Sequence, residues 1–319
     1  MSRKIVQSRF PFAHTFSIVA RDPLTGEMGV AVQSHWFSTG SIVTWAEPGV
    51  GVVATQAMVE VSYGSKGIAG LRQGIAPQDV LHELLHADEG REIRQVAMVD
   101  NKGRVAVHTG SRCIAEAGHE TGEQFSVQAN MMLNKTVWPA MAKAFKKSTG
   151  SLPERLLVAL DAAQAEGGDI RGMQSAAMLV VTNKSNEHPW TETVVDLRVE
   201  DHAAPLQELR RLLSLQRAYE AMNRGDALLG AGKVEEALLA YKQGVEAAPT
   251  AKELPFWQAV TLADTGRLQE ALPLFKDVFS DDPNWAVLFT RLPAAGLFKE
   301  DPALIKQIMA VAPDHPKRI

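Results

Sequence analysis

TFSIVARDPLTGEMGVAVQS, residues 15–34, reads as a β-hairpin. Phe16, Ile18 and Ala20 alternate with Thr15, Ser17 and Val19, the period-2 signature of a strand, and an Asp-Pro turn signal follows at Asp22. GVAVQS, from Gly29 to Ser34, supplies the returning partner. The first strand thus opens on a hydroxyl, Thr15, with His14 just upstream. A β-branched residue suits a strand end without any further role.

Working outward from the hairpin, VGVVATQA (residues 50–57) reads as a third apolar strand. Two helical segments follow, the second starting after Pro77 with Val80, Leu81, Leu84 and Leu85 on one face. RQVAMVD and RVAVHTG, joined by Asn101, Lys102 and Gly103, form another hairpin, and QFSVQAN a further strand. Residues 134–166 read as two helices broken near Gly150, Ser151 and Pro153, before SAAMLVVT and TETVVDLRV close the region as strands. Strands and helices in blocks predict an α+β fold with layered sheets rather than a parallel βαβ fold.

Past Pro205 only helical patterns remain. AGKVEEAL at Ala231–Leu238 recurs as TGRLQEAL at Thr265–Leu272, an offset of 34 residues, which is the tetratricopeptide period. Gly225 and Ala259 take the small position where helices cross, Leu228 and Leu262 the large one opposite, and Ala237 and Ala271 the small residue of the second helix. Leu206–Ala221 is expected as a leading helix and Leu297–Ala312 as a degenerate final one. The expected division is an N-terminal extension over 1–14, an α/β domain over 15–203 and helical repeats over 204–319.

Composition narrows the function classes. The chain has 319 residues, 45% apolar and 22% charged, a formal net charge of −4 and a sequence pI of about 6.2. Lys and Arg form no run beyond short doublets, so nucleic acid is not expected as a partner. The single cysteine, Cys113, forms no internal disulfide and no cysteine metal cluster. No stretch approaches the roughly 20 apolar residues of a membrane span, and residues 1–14 lack the apolar run of a secretory signal, so a cytoplasmic chain is expected.

HELLH at His82–His86 matches HExxH, in which two histidines one turn apart bind zinc. Helical phase puts His82 and His86 opposite the apolar face of Val80, Leu81, Leu84 and Leu85, so they are expected in solvent and no metal is assigned. Other candidates stand at strand ends and turns: His108 beside Thr109, Gly110 and Arg112; Asn130 as an amide donor for an oxyanion or as a cap; Asp169 and Arg171 as a site pair or as a turn-shaping pair.

TFSIVARDPLTGEMGVAVQS, VGVVATQA, GREIRQVAMVD, GRVAVHTGSRC, GGDIRGMQSAAMLVV and VDLRVEDH together resemble domain-of-unknown-function family 1028, which belongs to the N-terminal nucleophile (Ntn) hydrolase superfamily. The blocks occur in order over about residues 15–215. The resemblance implies a four-layer αββα sandwich and places Thr15 at the position of the superfamily's Thr, Ser or Cys nucleophile. Such a nucleophile needs a free α-amine as its base, so it acts after loss of residues 1–14. The chain departs from the family pattern in having Ser34-His35-Trp36-Phe37 where an SRF-type segment is expected, and Ala129-Asn130 for a Gly-Asn pair. It also lacks the second-strand lysine of the proteasome-like branch.

The expectation is an amidohydrolase acting on a small amide or peptide, with Thr15, His108 and Asn130 as catalytic residues. Ser34, His35, Gln56, Arg112, Asp169 and Arg171 are the expected substrate-binding residues, with no cofactor. The competing expectation is a non-catalytic dimeric scaffold whose repeats bind a protein or peptide. A homo-oligomer is expected in either case.

Overall fold

A computed structural model describes residues 12–313, and residues 1–11 of the expected extension lie outside the described residues. The chain divides into two compact units, Met1–Arg211 and Leu212–Ile319.

The first unit holds two antiparallel sheets. The hairpin is present as β2 (Thr15–Arg21) and β3 (Met28–Ser34), and a two-residue strand β1 (Phe12–Ala13) precedes it. A short helix α1 (Gly40–Val43) leads to β4 (Thr44–Glu47) and β5 (Gly51–Met58). Helices α2 (Ser62–Arg72) and α3 (Pro77–His86) come next, then β6 (Arg94–Asp100), β7 (Val105–Thr109), β8 (Gly118–Gly122) and β9 (Phe125–Ala129). Helices α4 (Val137–Lys147) and α5 (Leu152–Ala165) are followed by β10 (Ser175–Val181) and β11 (Thr193–Val199). One sheet runs β11-β10-β3-β2-β9-β8; the other runs β1-β5-β6-β7, with β4 also on β5.

Alternation along the strands decides what faces what. Val19, Val30 and Val32 of one sheet meet Val52, Ala54, Ala97 and Val99 of the other in a single buried cluster between the sheets. The opposite phase of β5 and β6, Val53, Val96 and Met98, packs on Ile68, Leu71, Val80 and Leu81 of α2 and α3. Helix α5 packs on β2 and β3, and α4 on β8 and β9. Gly29 permits the close approach of α5, since a Cβ there would stand 2.6 Å from Leu156 Cδ1. His82 and His86 are on the exposed side of α3, rings stacked with centroids 6.3 Å apart.

Three short strands, β1, β4 and β8, carry no clear sequence signal. Each has five residues or fewer, too short for a period to register, and β8 reads GHETG, with a turn residue at both ends.

The second unit is helical. Helix α6 runs unbroken over Pro205–Gly230, so the expected leading helix and the first helix of the first repeat are one element. Met222, Asn223 and Arg224 offer no breaker between them. The division at Arg211 falls inside this helix. Helices α7 (Val234–Ala247), α8 (Glu253–Asp264), α9 (Leu268–Asp281), α10 (Asn284–Phe289) and α11 (Pro302–Met309) follow. Ala237, Ala259 and Ala271 are fully buried, and Phe256, Phe275, Phe279 and Phe289 fill the centre.

Two predictions follow from this packing. Asp22 fixes the hairpin turn: its Oδ1 accepts Leu24 N–H at 2.8 Å and Thr25 N–H at 3.0 Å, and its Oδ2 accepts Arg155 Nη1–H at 2.9 Å. Burial would raise its pKa, but the two backbone donors and Arg155 outweigh burial and lower it. A depressed carboxylate contributes stability above its unfolded pKa of about 3.9, and that stability is lost as pH falls through the lower folded value. Asp22→Asn should therefore flatten the acid limb of the stability-pH curve below about pH 4, read from urea midpoints. In α6, Gly225 and Gly230 should respond oppositely to Ala. A Cβ at Gly230 meets nothing within 4 Å and should stabilise by about 0.5–1 kcal/mol. A Cβ at Gly225 would stand 2.4 Å from the Tyr241 ring and should destabilise by about 1–3 kcal/mol by the same measurement.

Candidate active site

The chain passes from one sheet to the other through a single residue. β1 pairs antiparallel with β5, Phe12 opposite Met58 and Ala13 opposite Ala57, while β2 lies in the second sheet with Thr15 opposite Ser34. His14 is the step between them, so the His14–Thr15 peptide lies between the sheets at one end. His14 is 2% exposed and Thr15 fully buried.

A carbonyl taken out of water in this way needs donors, and His14 O has two. Ser34 Oγ–H donates to it at 2.6 Å and Arg171 Nη2–H at 3.0 Å. Asp169 aims the guanidinium: Arg171 Nε–H donates to Oδ1 at 3.0 Å and Nη2–H to Oδ2 at 2.7 Å. Asp169 is itself held by Arg171 N–H at 2.9 Å and His35 N–H at 3.2 Å. A positive charge is thus fixed at this carbonyl by Arg171. Thr15 Oγ1–H donates to Ala13 O at 2.7 Å, and Thr15 O accepts from Asn130 N–H at 3.1 Å and Gln56 Nε2–H at 3.2 Å.

Beneath these groups the inter-sheet core changes from Val and Ala to carboxamides and hydroxyls. Ser126 Oγ–H donates to Gln128 Oε1 (2.9 Å), Gln128 Nε2–H to Ser17 Oγ (2.6 Å) and Ser17 Oγ–H to Gln56 Oε1 (2.6 Å). Gln56 Nε2–H then donates to Gln95 Oε1 at 2.7 Å, and Gln95 Nε2–H to Ala129 O at 2.9 Å and Gly118 O at 3.1 Å. Backbone carbonyls accept only, so they fix which end of each amide is which. Gln95 Oε1 also accepts Asn130 Nδ2–H at 2.9 Å, which turns Asn130 Oδ1 toward His14 Nδ1, 2.8 Å away. His14 must therefore carry its proton on Nδ1 when neutral. Burial lowers its pKa, the Asn130 hydrogen bond works against burial, and Arg171 lowers it further while Asp169 raises it. Burial thus favours the neutral imidazole.

Of the expected site residues, Thr15, Ser34, His35, Gln56, Asn130, Asp169 and Arg171 converge here. His108 and Arg112 are elsewhere. On β7, Val105 and Val107 face the inter-sheet core and Ala106 the helices, so alternation puts His108 on the helix side, where its Nε2 is 2.9 Å from Arg91 O. Arg112 is exposed and its N–H donates to Glu92 O at 2.7 Å. Ser17, Gln95 and Gln128 join the site without a sequence motif of their own. Gln128 occupies the polar phase of a strand whose other phase is apolar, and Ser17 stands next to Thr15 in its phase, the pattern of a solvated face, whereas a second sheet covers them. For Gln95 a signal exists: it shares the phase of the buried Ala97 and Val99.

At Thr15 the space is filled by the chain itself, with Ala13 and His14 buried against it. An open cleft of about 530 Å³ lies between α2 and α3, and an ion pair at its end is tied internally. Asp88 Oδ2 accepts from both Arg94 Nε–H and Tyr63 OH, at 2.8 and 2.9 Å. Among the described residues no group of three His, Cys, Asp or Glu is placed to hold a metal ion, and no helix is long and apolar enough to cross a membrane.

The family of unknown function DUF1028 matches residues 15–209. A crystal structure of protein SPO2555 from Silicibacter pomeroyi, assigned to the same family, is 32% identical with a TM-score of 0.57. The match covers 63% of this chain and 88% of that one. No curated protein matches the chain.

The carboxamide ladder should carry measurable stability. Gln95→Leu leaves Gln56 and Asn130 without their shared acceptor and Ala129 O without its donor, and should cost at least about 3 kcal/mol. The urea midpoint of the first unit's transition checks this.

Proposed function

The chain belongs to the DUF1028 family, and from the geometry around Thr15 we propose that residues 15–209 form an Ntn-type amidohydrolase with Thr15 as nucleophile. The reading takes the two sheets and their covering helices as the αββα sandwich of that superfamily. One observation carries it: the carbonyl that precedes Thr15 is held by a hydroxyl and a guanidinium, at 2.6 and 3.0 Å, where an oxyanion would need them.

Self-cleavage then runs as an acyl transfer. The Thr15 hydroxyl leaves Ala13 O and its oxygen adds to the His14 carbonyl carbon. Ser34 Oγ–H and Arg171 Nη2–H hold the oxyanion. The C–N bond breaks, the Thr15 nitrogen leaves as an amine carrying the hydroxyl's proton, and an ester joins His14 to Thr15 Oγ1. Water opens the ester, leaving a carboxylate on His14 and a free amine and hydroxyl on Thr15. That amine titrates near pH 8, so an appreciable fraction is free at neutral pH to take the hydroxyl's proton in later turnovers. An amide substrate enters with its carbonyl where His14 O now lies, between the same two donors.

The helical unit reads as tetratricopeptide-type repeats, supported by the full burial of Ala237 and Ala271 at equivalent positions, and offers a face for a peptide or protein partner. The second reading, a non-catalytic scaffold, is favoured by the engagement of the Thr15 hydroxyl with Ala13 O under residues 13–14. The intact mass of the purified full chain decides between them. The hydrolase loses residues 1–14; Thr15→Ala abolishes the loss and Thr15→Ser retains it. Arg171→Ala and Ser34→Ala each slow it by about 10²–10³-fold. A wild-type chain that keeps residues 1–14 is the scaffold.

A further inference from the structure

We propose that the segment ending at His14 outlines the acyl subsite of this centre. The substrate is a peptide, or a peptide-like amide, whose cleaved carbonyl belongs to a residue with a neutral, hydrogen-bond-donating side chain, and whose preceding residues pair with the edge of β5. The proposal rests on the reading of Thr15 as nucleophile. Self-cleavage and turnover use the same oxygen and the same two oxyanion donors, so the acyl group of a substrate must take the position that His14 and its predecessors hold.

Three sets of contacts define that position. Ser34 and Arg171 take the carbonyl. Asn130 Oδ1 takes the side chain, 2.8 Å from His14 Nδ1, and the carboxamide ladder keeps that oxygen an acceptor through Gln95. An aliphatic side chain would leave the buried Oδ1 without a donor, and a carboxylate would set oxygen against oxygen. Imidazole and carboxamide groups both donate.

The backbone supplies the third set. β6 lies along one edge of β5 from Gly51 to Ala57, and β4 covers the other edge only from Gly51 to Ala54. Of the remaining length of that edge, from Thr55 to Met58, β1 pairs with Ala57 and Met58. Release of residues 1–14 frees it for an extended chain to add as a strand. Ala57, opposite Ala13, has a left-handed φ of 71°, a conformation that non-glycine residues seldom take outside shaped sites. In each turnover Thr15 Oγ1 takes the acyl group, the amine leaves with the hydroxyl's proton, and water then releases the acid. That acid product places a carboxylate against Arg171, so it binds.

The test uses the full wild-type chain, its mass recorded first, and the aminomethylcoumarin amides of N-acetyl-Phe-Ala-His, -Gln, -Leu and -Glu. The His and Gln amides should exceed the Leu and Glu amides by about 100-fold in kcat/KM, and Asn130→Leu should reduce that preference to within about threefold. Acetyl-Phe-Ala-His as free acid should inhibit competitively. If no amide turns over, the self-cleavage rates of His14→Gln and His14→Leu decide: the first should be near wild type and the second at least about tenfold slower. A cleaved chain with equal rates across the amides, or across the two His14 variants, overturns the subsite and leaves the nucleophile reading standing. A wild-type chain that keeps residues 1–14 overturns that reading and the subsite with it.

Discussion

One peptide unit organises the first unit of the structure. Because β1 pairs with β5 and β2 with β3, the chain changes sheets at His14, and the following amide is drawn into the space between the sheets. A buried carbonyl without donors would cost about 1–3 kcal/mol, so the surroundings are obliged to supply them. Ser34 arrives through the hairpin register that Asp22 sets, across the six residues between β2 and β3. Arg171 arrives from the loop before β10, and a guanidinium there needs a counter-charge, which Asp169 gives. The charged pair, the hairpin turn and the start of β2 are in this sense one requirement met from three places in the chain.

The ladder behind them has a related logic. Between the valine-rich middle of the core and the end where Thr15 lies, the interior is fully buried and lined by carboxamides and hydroxyls. Ser126, Gln128, Ser17, Gln56 and Gln95 satisfy one another in a fixed direction, and the last of them anchors on Gly118 O and Ala129 O. Since each amide has a definite donor end, the direction passes unaltered to Asn130 and so to the tautomer of His14. A half-satisfied network would be worse than an apolar core; a complete one specifies a single arrangement.

The hairpin at residues 15–34, the paired helices and the strands other than β1, β4 and β8 are legible because each carries a full period of alternation or a capped helical stripe. Thr15, Ser34, Asn130, Asp169 and Arg171 are legible as strand-end and turn residues, yet nothing in their spacing says that they meet. His108 shows the limit: in VAVHTG both phases are apolar, so only the neighbouring layers reveal that it faces the helices. Gln128 shows the converse, since FSVQA has one apolar and one polar phase and reads as half-exposed, whereas both phases are buried. Which side of a strand is covered is a property of the whole assembly of layers, not of the strand. The continuity of α6 was hidden for a simpler reason: a repeat boundary was expected, and no residue there stops a helix.

The ladder also bears on how protons reach Thr15. A carboxamide exchanges neither of its hydrogens readily and has no accessible protonated or deprotonated form near neutrality, so a chain of glutamines conducts orientation but not protons. The interior between the sheets is consequently an insulator. Of the side chains touching the His14–Thr15 peptide, the imidazole of His14 can exchange a proton, burial favours its neutral form, and it belongs to the segment on the other side of the bond. A proton that moves at the His14–Thr15 peptide therefore does so without passage through the ladder.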